Sequence, residues 1–259
     1  MPKYYRFVPS FLVKWLENII HQDELNYLLL KNKDLEGVDF ANAILSDLDI
    51  KLEVVNSHLL PAKGSGKYIF ASNHPLGGLD GMALISLLGK QYDNNIKFIV
   101  NDMLSQLTPF ADIFLPANKV GRQSHEVAER INAAFKSDAQ VITFPAGLCS
   151  RRKKDGSVSD LDWTKGFISK SIQYRRDIVP IFFDGLNSDF FYKVARLREK
   201  AGIKFNIEMI YLPGEVFKNR GKKFTIYIGK PIKWETFANG RSQRSLAQEV
   251  KQIVYNLKT

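Results

Sequence analysis

The stretch "YIFASNHPLGGLDGMALISLLG", residues 68–89, joins a short apolar run, a turn-rich loop and a second, longer apolar run. The first run has the length of a strand and the second has the length of a helix, so the stretch predicts strand, loop and helix in that order. In sheets covered by helices, ligands collect where such loops leave the carboxyl ends of strands. This loop is therefore the first candidate for a functional site.

Two side chains of the loop, His74 and Asp80, carry chemistry that a simple turn does not need. A histidine accepts a proton near neutral pH, and a carboxylate on its other ring nitrogen fixes the tautomer and stabilises the imidazolium. Pro75 favours an extended His74, and Gly77 and Gly78 permit a positive φ or a close approach to a substrate. A plainer interpretation stays open, in which Asp80 caps the next helix and His74 is an ordinary loop residue.

Strand-like and helix-like runs alternate along most of the chain. The predicted strands are residues 50–55, 67–72, 96–101, 112–117, 139–144, 177–183, 205–212 and 223–229. The predicted helices are residues 35–47, 80–89, 102–109, 123–137, 164–175, 189–201 and 242–257. This alternation predicts an α/β fold with a mixed, mostly parallel central sheet flanked by helices. The two last strands lie close together in sequence and suggest an antiparallel edge.

An amphipathic helix is predicted at residues 10–30, with Phe11, Trp15 and Ile19 on its apolar face. Two interpretations remain open. The helix either lies in a membrane interface, as its basic and aromatic flank favours, or packs on the core of the domain. We expect residues 1–50 to form a helical N-terminal extension and residues 51–259 to form one compact domain.

The composition favours an anionic partner and a reducing compartment. There are 37 basic and 27 acidic residues, a net charge of +10, which suits nucleic acid, anionic lipid, coenzyme A phosphates or an acidic carrier protein. The single Cys149 excludes an intramolecular disulfide. The N-terminus has no signal-peptide pattern, and no uncharged apolar run approaches the ~20 residues of a membrane-spanning helix. We expect a cytoplasmic protein, peripheral on the inner face of the cell membrane.

A second strand-to-turn motif is "VITFPAGLCSRRKKDG", residues 141–156. Backbone N–H groups of the turn, with Arg151 nearby, predict an anion-binding site, although a solvated basic loop is an equally ordinary interpretation. Cys149 sits near the position of a nucleophile, but the G-x-S-x-G pattern lacks its closing glycine, which favours a small buried thiol. The histidines and the cysteine have no metal-ligand spacing, and no nucleic-acid-binding motif is present, so neither partner is expected.

In order along the chain, these motifs resemble those of the glycerolipid acyltransferase family, which includes lysophosphatidic acid acyltransferases. The family's first motif, Asn-His-x4-Asp, is matched by Asn73-His74 and Asp80 with five intervening residues. Its third motif, Phe-Pro-Glu-Gly-Thr-Arg-Ser, is matched by residues 144–151, "FPAGLCSR". The resemblance covers roughly residues 65–232.

Two further regions carry the same resemblance. The second family motif ends in a basic residue and is matched by "PFADIFLPANKVGRQ", residues 109–123, with Arg122 as the counterpart. The fourth is matched by the Val179-Pro180 strand. The Asn-His-Pro-Leu-Gly-Gly and Phe-Pro-Ala-Gly forms are most similar to the bacterial hemolysin-like branch, which includes ornithine-lipid and glycine-lipid acyltransferases. Ala146 replaces the glutamate of the third motif, which leaves room for an amino-acid amine or an aminolipid hydroxyl as acceptor.

The resemblance implies an acyltransferase that moves a fatty acyl group to a lyso-lipid hydroxyl or to an amino-acid or aminolipid acceptor. The co-substrate would be acyl-ACP or acyl-CoA, with no bound cofactor and no metal. His74 would be the general base and Asp80 would orient it. The implied substrate-binding residues are Asn73, Gly77, Gly78, Arg122, Gly147, Ser150 and Arg151.

The expected partners are therefore acyl carrier protein or a coenzyme A thioester, and an anionic membrane surface. Phe70 and Met82 are candidates for an acyl groove, with core packing as the alternative. Two other functions remain as alternatives: a Cys149-dependent thioesterase or hydrolase, and a non-catalytic basic module that binds membranes.

Overall fold

The computed structural model describes residues 9–101, 104, 106–117 and 125–258. The α-helices in these ranges are α1 (Ser10–Ile19), α2 (Gln22–Lys31), α3 (Gly37–Asp47), α4 (Leu79–Gln91), α5 (His125–Lys136), α6 (Gly166–Tyr174), α7 (Asp189–Lys200), α8 (Leu212–Lys218) and α9 (Gln243–Tyr255). The strands are β1 (Lys51–Val55), β2 (Tyr68–Ser72), β3 (Ile96–Val100), β4 (Phe114–Pro116), β5 (Gln140–Thr143), β6 (Arg151–Arg152), β7 (Val158–Ser159), β8 (Asp177–Asp184) and β9 (Lys223–Ile228).

Seven strands form one sheet in the order β1-β9-β8-β2-β5-β3-β4, and β6 and β7 form a separate small hairpin. Every neighbouring pair in the large sheet is parallel except β8 and β9, which are antiparallel. The predicted fold class, a mixed and mostly parallel sheet flanked by helices, is confirmed. β2 lies at the middle of the sheet, with the loop that follows it at its carboxyl end.

Side chains of β2 alternate between the two faces of the sheet, and each face has its own apolar core. Tyr68 and Phe70 pack with residues of α3 and α4, while Ile69 and Ala71 pack with residues of α5, α6 and α9. Successive strand residues point to opposite faces, so a strand covered by helices on both sides must be apolar throughout. β2 is indeed buried along its whole length.

The prediction of a strand at residues 205–212 is wrong. This segment forms a 3-10 helix, Ile207–Tyr211, that leads into α8. Glu208 interrupts the apolar run, and its buried carboxylate pairs with two arginines, Arg151 and Arg198. Pro213 lies in the first turn of α8, where its missing N–H has no cost. The segment therefore packs as a helical connection.

Three smaller expectations also need correction. β9 is antiparallel to β8, but it lies inside the sheet, and β1 forms the edge beyond it. The helix predicted at residues 10–30 is two helices, since His21 has a φ of +53° between α1 and α2. At the end of the helix predicted at residues 102–109, the structure has a 3-10 helix, Thr108–Phe110, instead of an α-helix.

The first three helices differ in how they join the core. α1 has no buried residue, whereas Val38, Phe40 and Ile44 of α3 belong to the core on the α4 face. Packing thus places α3 with the domain, and the predicted boundary at residue 50 stays a prediction. No α-helix in the described ranges is both long and apolar enough to cross a membrane.

Candidate active site

Three neighbouring parallel strands, β8, β2 and β5, end at the same edge of the sheet. The loop after β2 contains His74, and the loop after β5 contains Phe144 and Gly147. Parallel pairing brings the carboxyl ends of these strands together, so the two sequence motifs meet here although 70 residues separate His74 from Phe144. The sequence motifs therefore form one site.

His74 and Asp80 are in direct contact. The Nδ1 atom of His74 lies 2.9 Å from Oδ2 of Asp80. The backbone N–H of Leu76 also donates to Oδ2, and that of Gly81 donates to Oδ1, both at 2.9 Å. A carboxylate that accepts from Nδ1 leaves Nε2 as the ring nitrogen available to a ligand. The loop thus presents a histidine with a defined tautomer.

Asp80 is fully buried in the first turn of α4. Burial opposes its ionisation, but the adjacent His74 and the hydrogen bonds from His74, Leu76 and Gly81 outweigh burial and lower the pKa of Asp80. The amino end of a helix also favours a negative charge. Asp80 is therefore ionised at neutral pH and can stabilise positive charge on the imidazole.

The His74 ring lies at the wall of a cavity of about 430 Å³. It stacks on Phe144 with ring centroids 4.0 Å apart. Most of the cavity wall is apolar: Met82 and Ile85 of α4, Phe98 of β3, and Leu104, Leu107, Phe110 and Phe114 from the segments that follow. An apolar cavity with a polar group at one point is typical of a site for an apolar ligand.

The backbone of His74 is held from both sides. Its N–H donates to Oδ1 of Asp160 at 3.2 Å, and its carbonyl accepts from the N–H of Ser150 at 2.7 Å. Asp160 also accepts from the Ser150 hydroxyl at 2.6 Å and from Trp163 Nε1 at 2.8 Å. Asp160 is buried, and burial raises its pKa. These contacts position His74 through its main chain.

A family model described as "Acyltransferase" matches residues 1–259. The chain belongs to the acyltransferase family. It is 50% identical over 256 residues to a lyso-glycine lipid O-acyltransferase of Bacteroides thetaiotaomicron, covering 99% of this chain and 93% of the relative. It is 49% identical over 255 residues to a lyso-glycine lipid O-acyltransferase of Phocaeicola vulgatus, covering 98% and 90%. This agrees with the resemblance to the branch that includes glycine-lipid acyltransferases.

Among solved structures, the 1-acyl-sn-glycerophosphate (LPA) acyltransferase PlsC of Thermotoga maritima matches with a TM-score of 0.49 and 15% sequence identity. The match covers 96% of this chain and 98% of that chain. The prediction that this chain is an acyltransferase is confirmed by the family and the curated relatives. The alternative of a non-catalytic module is therefore wrong.

Gly77 and Gly78 shape the site loop of this acyltransferase in different ways. Gly77 has a φ of +79°, and a Cβ atom there would lie 2.7 Å from a methyl carbon of Leu212 in α8. Gly77 therefore permits both the sharp turn and the contact with α8. A Cβ on Gly78 would meet only Val216 at 3.8 Å, an ordinary contact. The tight turn at Gly77 is what lets Asp80 reach His74 across five intervening residues.

Asn73, predicted to bind substrate, is buried and uses its side chain within the protein. Its Nδ2 donates to the Phe183 carbonyl at 2.9 Å, and its Oδ1 accepts from the Phe183 N–H at 2.7 Å. These two bonds extend the pairing of β2 with β8 beyond the end of β2. In this arrangement Asn73 fixes the start of the site loop, and its predicted role in substrate binding stays a prediction.

Ser150 and Arg151 of this acyltransferase are also buried rather than directed into the cavity. The Ser150 hydroxyl donates to Asp160, as described above. Arg151 donates to Glu208 at 2.6 Å and to the Cys149 carbonyl at 2.7 Å. The side chains of Ser150 and Arg151 thus have partners within the chain, and the anion-binding role predicted for the backbone N–H groups of this turn stays a prediction. Gly147, by contrast, does line the cavity.

Cys149 is buried within a small apolar cluster with Phe191 and Tyr192 and lies outside the cavity lining. Burial raises the pKa of the Cys149 thiol to about 11, although Arg151 acts in the opposite direction. A thiol that stays protonated and buried is a poor nucleophile. The geometry thus disfavours the thioesterase alternative and agrees with the buried thiol that the sequence favoured.

Three remaining predictions have different outcomes. Arg122 lies outside the described residues; Ala117, five positions earlier, lines the cavity. Met82 lines the cavity, as an acyl groove requires. Phe70 does not, because it points into the core between the sheet and the α3–α4 face, where it contacts Tyr92.

Sequence reasoning missed Asp160, Glu208 and the stacking role of Phe144. Asp160 lies in "SVSDLDW", residues 157–163, which has no motif and no periodicity that distinguishes it from a surface loop. Glu208 had a detectable signal, since a charged residue inside an apolar run argues against a strand buried on both faces. Phe144 was part of a quoted motif, but its contact with His74 depends on strand order.

Proposed function

We propose that this acyltransferase uses His74 as a general base to acylate a hydroxyl oxygen of a glycine-containing lyso-lipid. The observation that carries the proposal is the 2.9 Å contact between His74 and Asp80 at the wall of the apolar cavity. The acceptor is suggested by two relatives, each about half identical in sequence, whose names specify a lyso-glycine lipid and transfer to oxygen.

The reaction needs no covalent acyl-enzyme, because a thioester donor is already activated. Nε2 of His74 takes the proton of the acceptor hydroxyl while the hydroxyl oxygen forms a bond to the thioester carbonyl carbon. The tetrahedral intermediate then breaks its C–S bond, and the departing thiolate receives the proton from His74. Asp80 stays ionised throughout and stabilises the transient imidazolium, an assistance typically worth ~10²–10⁴ in rate.

The donor in this proposal is acyl-ACP or acyl-CoA, and its acyl chain enters the apolar cavity. The volume of about 430 Å³ lies within the range of cavities that bind small ligands. Met82, Ile85 and Phe98 would contact the chain, while the thioester carbonyl stays next to His74. The net charge of +10 suits the negative charge of either donor.

The other predicted site residues take supporting roles in this proposal. Asn73 and Ser150 hold the backbone around His74, and Arg151 holds the turn after β5 in place. Gly77, Gly78 and Gly147 form parts of the cavity wall that lack side chains. Arg122 remains proposed as a substrate-binding residue on the basis of the family resemblance.

We also propose that the protein works at the inner face of the cell membrane, where a lyso-lipid acceptor resides. α1 supports this localisation because Phe11, Trp15 and Leu16 are exposed and the helix has no buried residue. An amphipathic helix with an unburied apolar face is typical of a membrane interface.

The test is transfer of a labelled acyl group from acyl-ACP and from acyl-CoA to a panel of acceptors: lyso-glycine lipid, lyso-ornithine lipid, lysophosphatidic acid and free glycine. We expect His74→Ala to lower kcat by ~10²–10⁴. His58→Ala, at an exposed histidine outside the site, is the matched control and should transfer at the wild-type rate. Full activity of His74→Ala would refute the mechanism, and transfer to lysophosphatidic acid alone would refute the acceptor.

A further inference from the structure

The outward face of α7 carries two large apolar side chains among its charged residues. Phe191, Tyr192 and Ala195 cover the buried face. On the opposite side, Phe190 and Leu197 are exposed, seven positions apart and therefore on one stripe. A helix of a soluble domain normally turns polar residues outward. Leu197, at 66% exposure, departs furthest from that arrangement.

The apolar surface continues past the end of α7. Ile203 and Phe205 lie in the connection to the 3-10 helix, and Phe205 is 71% exposed. Together with Leu197, which is 66% exposed, they place large apolar side chains on neighbouring parts of one segment. We call residues 190–205 the α7 surface. Several exposed large apolar side chains on one segment make that segment a candidate interaction site.

The α7 surface also has a positive excess. Four basic residues interleave with its apolar side chains: Lys193, Arg196, Lys200 and Lys204. Its acid Glu199 pairs with Arg198. Asp189, just before the surface, pairs with Arg152 of β6. Long basic side chains beside apolar ones can place their charges at lipid headgroups while their neighbours enter the apolar layer.

The position of the α7 surface links it to the candidate active site through α8. Phe190 packs against Tyr211 with ring centroids 5.0 Å apart, and Lys218 of α8 lies over the Phe190 ring. Leu212 of α8 abuts Gly77 in the His74 loop. At its other end α8 touches the α1–α2 junction, where His21 packs on Phe217. The α7 surface and α1 therefore flank the same short helix.

We propose that the α7 surface is a second membrane-binding surface, separate from α1, that takes an anionic lipid bilayer as its partner. The choice of partner rests in part on the proposed lipid acceptor, since such a substrate is presented by a bilayer. The charge complementarity and the spread of exposed Phe190, Leu197 and Phe205 over a helix and a connection fit a broad surface. With α1, it holds the His74 loop close to the lipid from which the acceptor comes.

The experiment measures flotation of the full chain with vesicles of phosphatidylcholine alone and with added phosphatidylglycerol. We expect the double variant Leu197→Ser/Phe205→Ser, and separately Lys200→Gln/Lys204→Gln, to bind anionic vesicles about tenfold more weakly than wild type. Ile253→Ser, at an exposed apolar position of α9, is the control and should bind like wild type. Added salt should weaken wild-type binding. Wild-type binding by both double variants would overturn the proposal.

Insertion is read directly with a polarity-sensitive fluorophore. The chain has one cysteine, Cys149, and it is buried, so Leu197→Cys adds one accessible thiol. We expect a blue shift of the label at position 197 on adding anionic vesicles, and none for the control Ile253→Cys. Equal behaviour of the two labels would contradict insertion of the α7 surface.

Activity separates this inference from the proposed function. On vesicles the α7-surface variants should transfer acyl groups more slowly, whereas with acceptor dispersed in detergent they should match wild type. Loss of activity for an ACP-linked donor alone, with vesicle binding intact, would assign the surface to the carrier protein and overturn the lipid proposal. If the wild type binds vesicles through this surface but acylates no lyso-lipid, the proposed acceptor fails and the surface stands.

Discussion

At the scale of single residues, the site depends on a carboxylate that never reaches the cavity. Asp160 accepts from the His74 N–H, from the Ser150 hydroxyl and from Trp163 Nε1. It therefore connects the loop after β2 to the loop after β5 and sets the position of the His74 main chain. The contact with Asp80 sets the tautomer of the ring. Asp160 thus positions the main chain of His74, and Asp80 determines the state of its side chain.

We expect Asp160→Asn to lower kcat about tenfold or more with little change in KM, because the asparagine amide accepts through one oxygen only, whereas both carboxylate oxygens of Asp160 accept hydrogen bonds. The donor that faces the new N–H₂ group is left unpaired, which typically costs about 1–3 kcal/mol of stability. Asp162→Asn, two residues on and exposed, is the matched control and should leave kcat unchanged. Steady-state kinetics with a full pH profile checks both. Equal kcat values for the two variants would contradict the positioning role.

The lowered pKa of Asp80 predicts a specific pH dependence of stability. A carboxyl whose pKa is lower in the folded than in the unfolded state stabilises the protein above its unfolded pKa of about 3.9. That contribution is lost as pH falls through the folded pKa. Wild type should therefore exceed Asp80→Asn in stability at about pH 6, and the difference should shrink toward about pH 2. Urea unfolding across this range measures it, and a difference independent of pH would contradict the ionised Asp80.

At the scale of elements, the connection from α7 to α8 packs against the segment that follows β5, through the pair of Glu208 with Arg151. Glu208 of the 3-10 helix is fully buried, and its two oxygens lie 2.6 Å from Arg151 and 3.0 Å from Arg198. A buried charge is tolerated only when it is paired, so these contacts determine how the connection packs. The same residue prevents the segment from serving as a strand.

Two neighbouring arginines of β6 allow a matched comparison. Arg151→Ala removes one partner of buried Glu208 and should cost about 3 kcal/mol of unfolding free energy, at the low end for such pairs because Arg198 remains. Arg152→Ala breaks a pair with exposed Asp189 and should cost less than about 1 kcal/mol. Denaturant unfolding measures both values. Similar costs for the two variants would show that the buried pair does not hold the connection.

At the scale of the whole molecule, the N-terminal helices divide into a part outside the core and a part within it. α1 contributes no buried residue, while α3 supplies Val38, Phe40 and Ile44 to the core against α4. Gly89 of α4 lets α3 approach closely, since a Cβ there would lie 2.3 Å from a methyl carbon of Val38. The domain therefore depends on α3.

We expect a chain that lacks residues 1–20 to keep nearly the wild-type melting temperature. A chain that lacks residues 1–50 should unfold at a much lower temperature or aggregate, because it exposes the α4 side of the core. Each fully buried large apolar side chain that is lost contributes about 1.5–3 kcal/mol. Thermal unfolding by circular dichroism measures both chains. Equal melting temperatures would show that residues 1–50 form an independent extension.

Local sequence determined the strands and helices that have a regular apolar pattern, and the contact between His74 and Asp80 within one short loop. Three elements were predictable from such patterns: the strands at residues 67–72 and 139–144 and the helix at residues 80–89. The apolar pattern of each element depends on which of its faces are buried. The approach of Asp80 to His74 was foreseeable because six positions and two glycines separate them. The family resemblance used the same local motifs.

Tertiary structure alone decided the rest of the site. Asp160 reaches His74 across 86 positions, and Arg151 reaches Glu208 across 57. The residues next to Asp160 and Glu208 in the sequence do not indicate these partners. Contacts across such separations form only when the strands take their order in the sheet. The cavity beside His74 likewise needs α4, β3 and the segments after it to meet. Local sequence patterns specify secondary structure, because they depend on neighbouring residues. Which buried polar groups contact each other is decided by the packing of elements that are distant in the sequence.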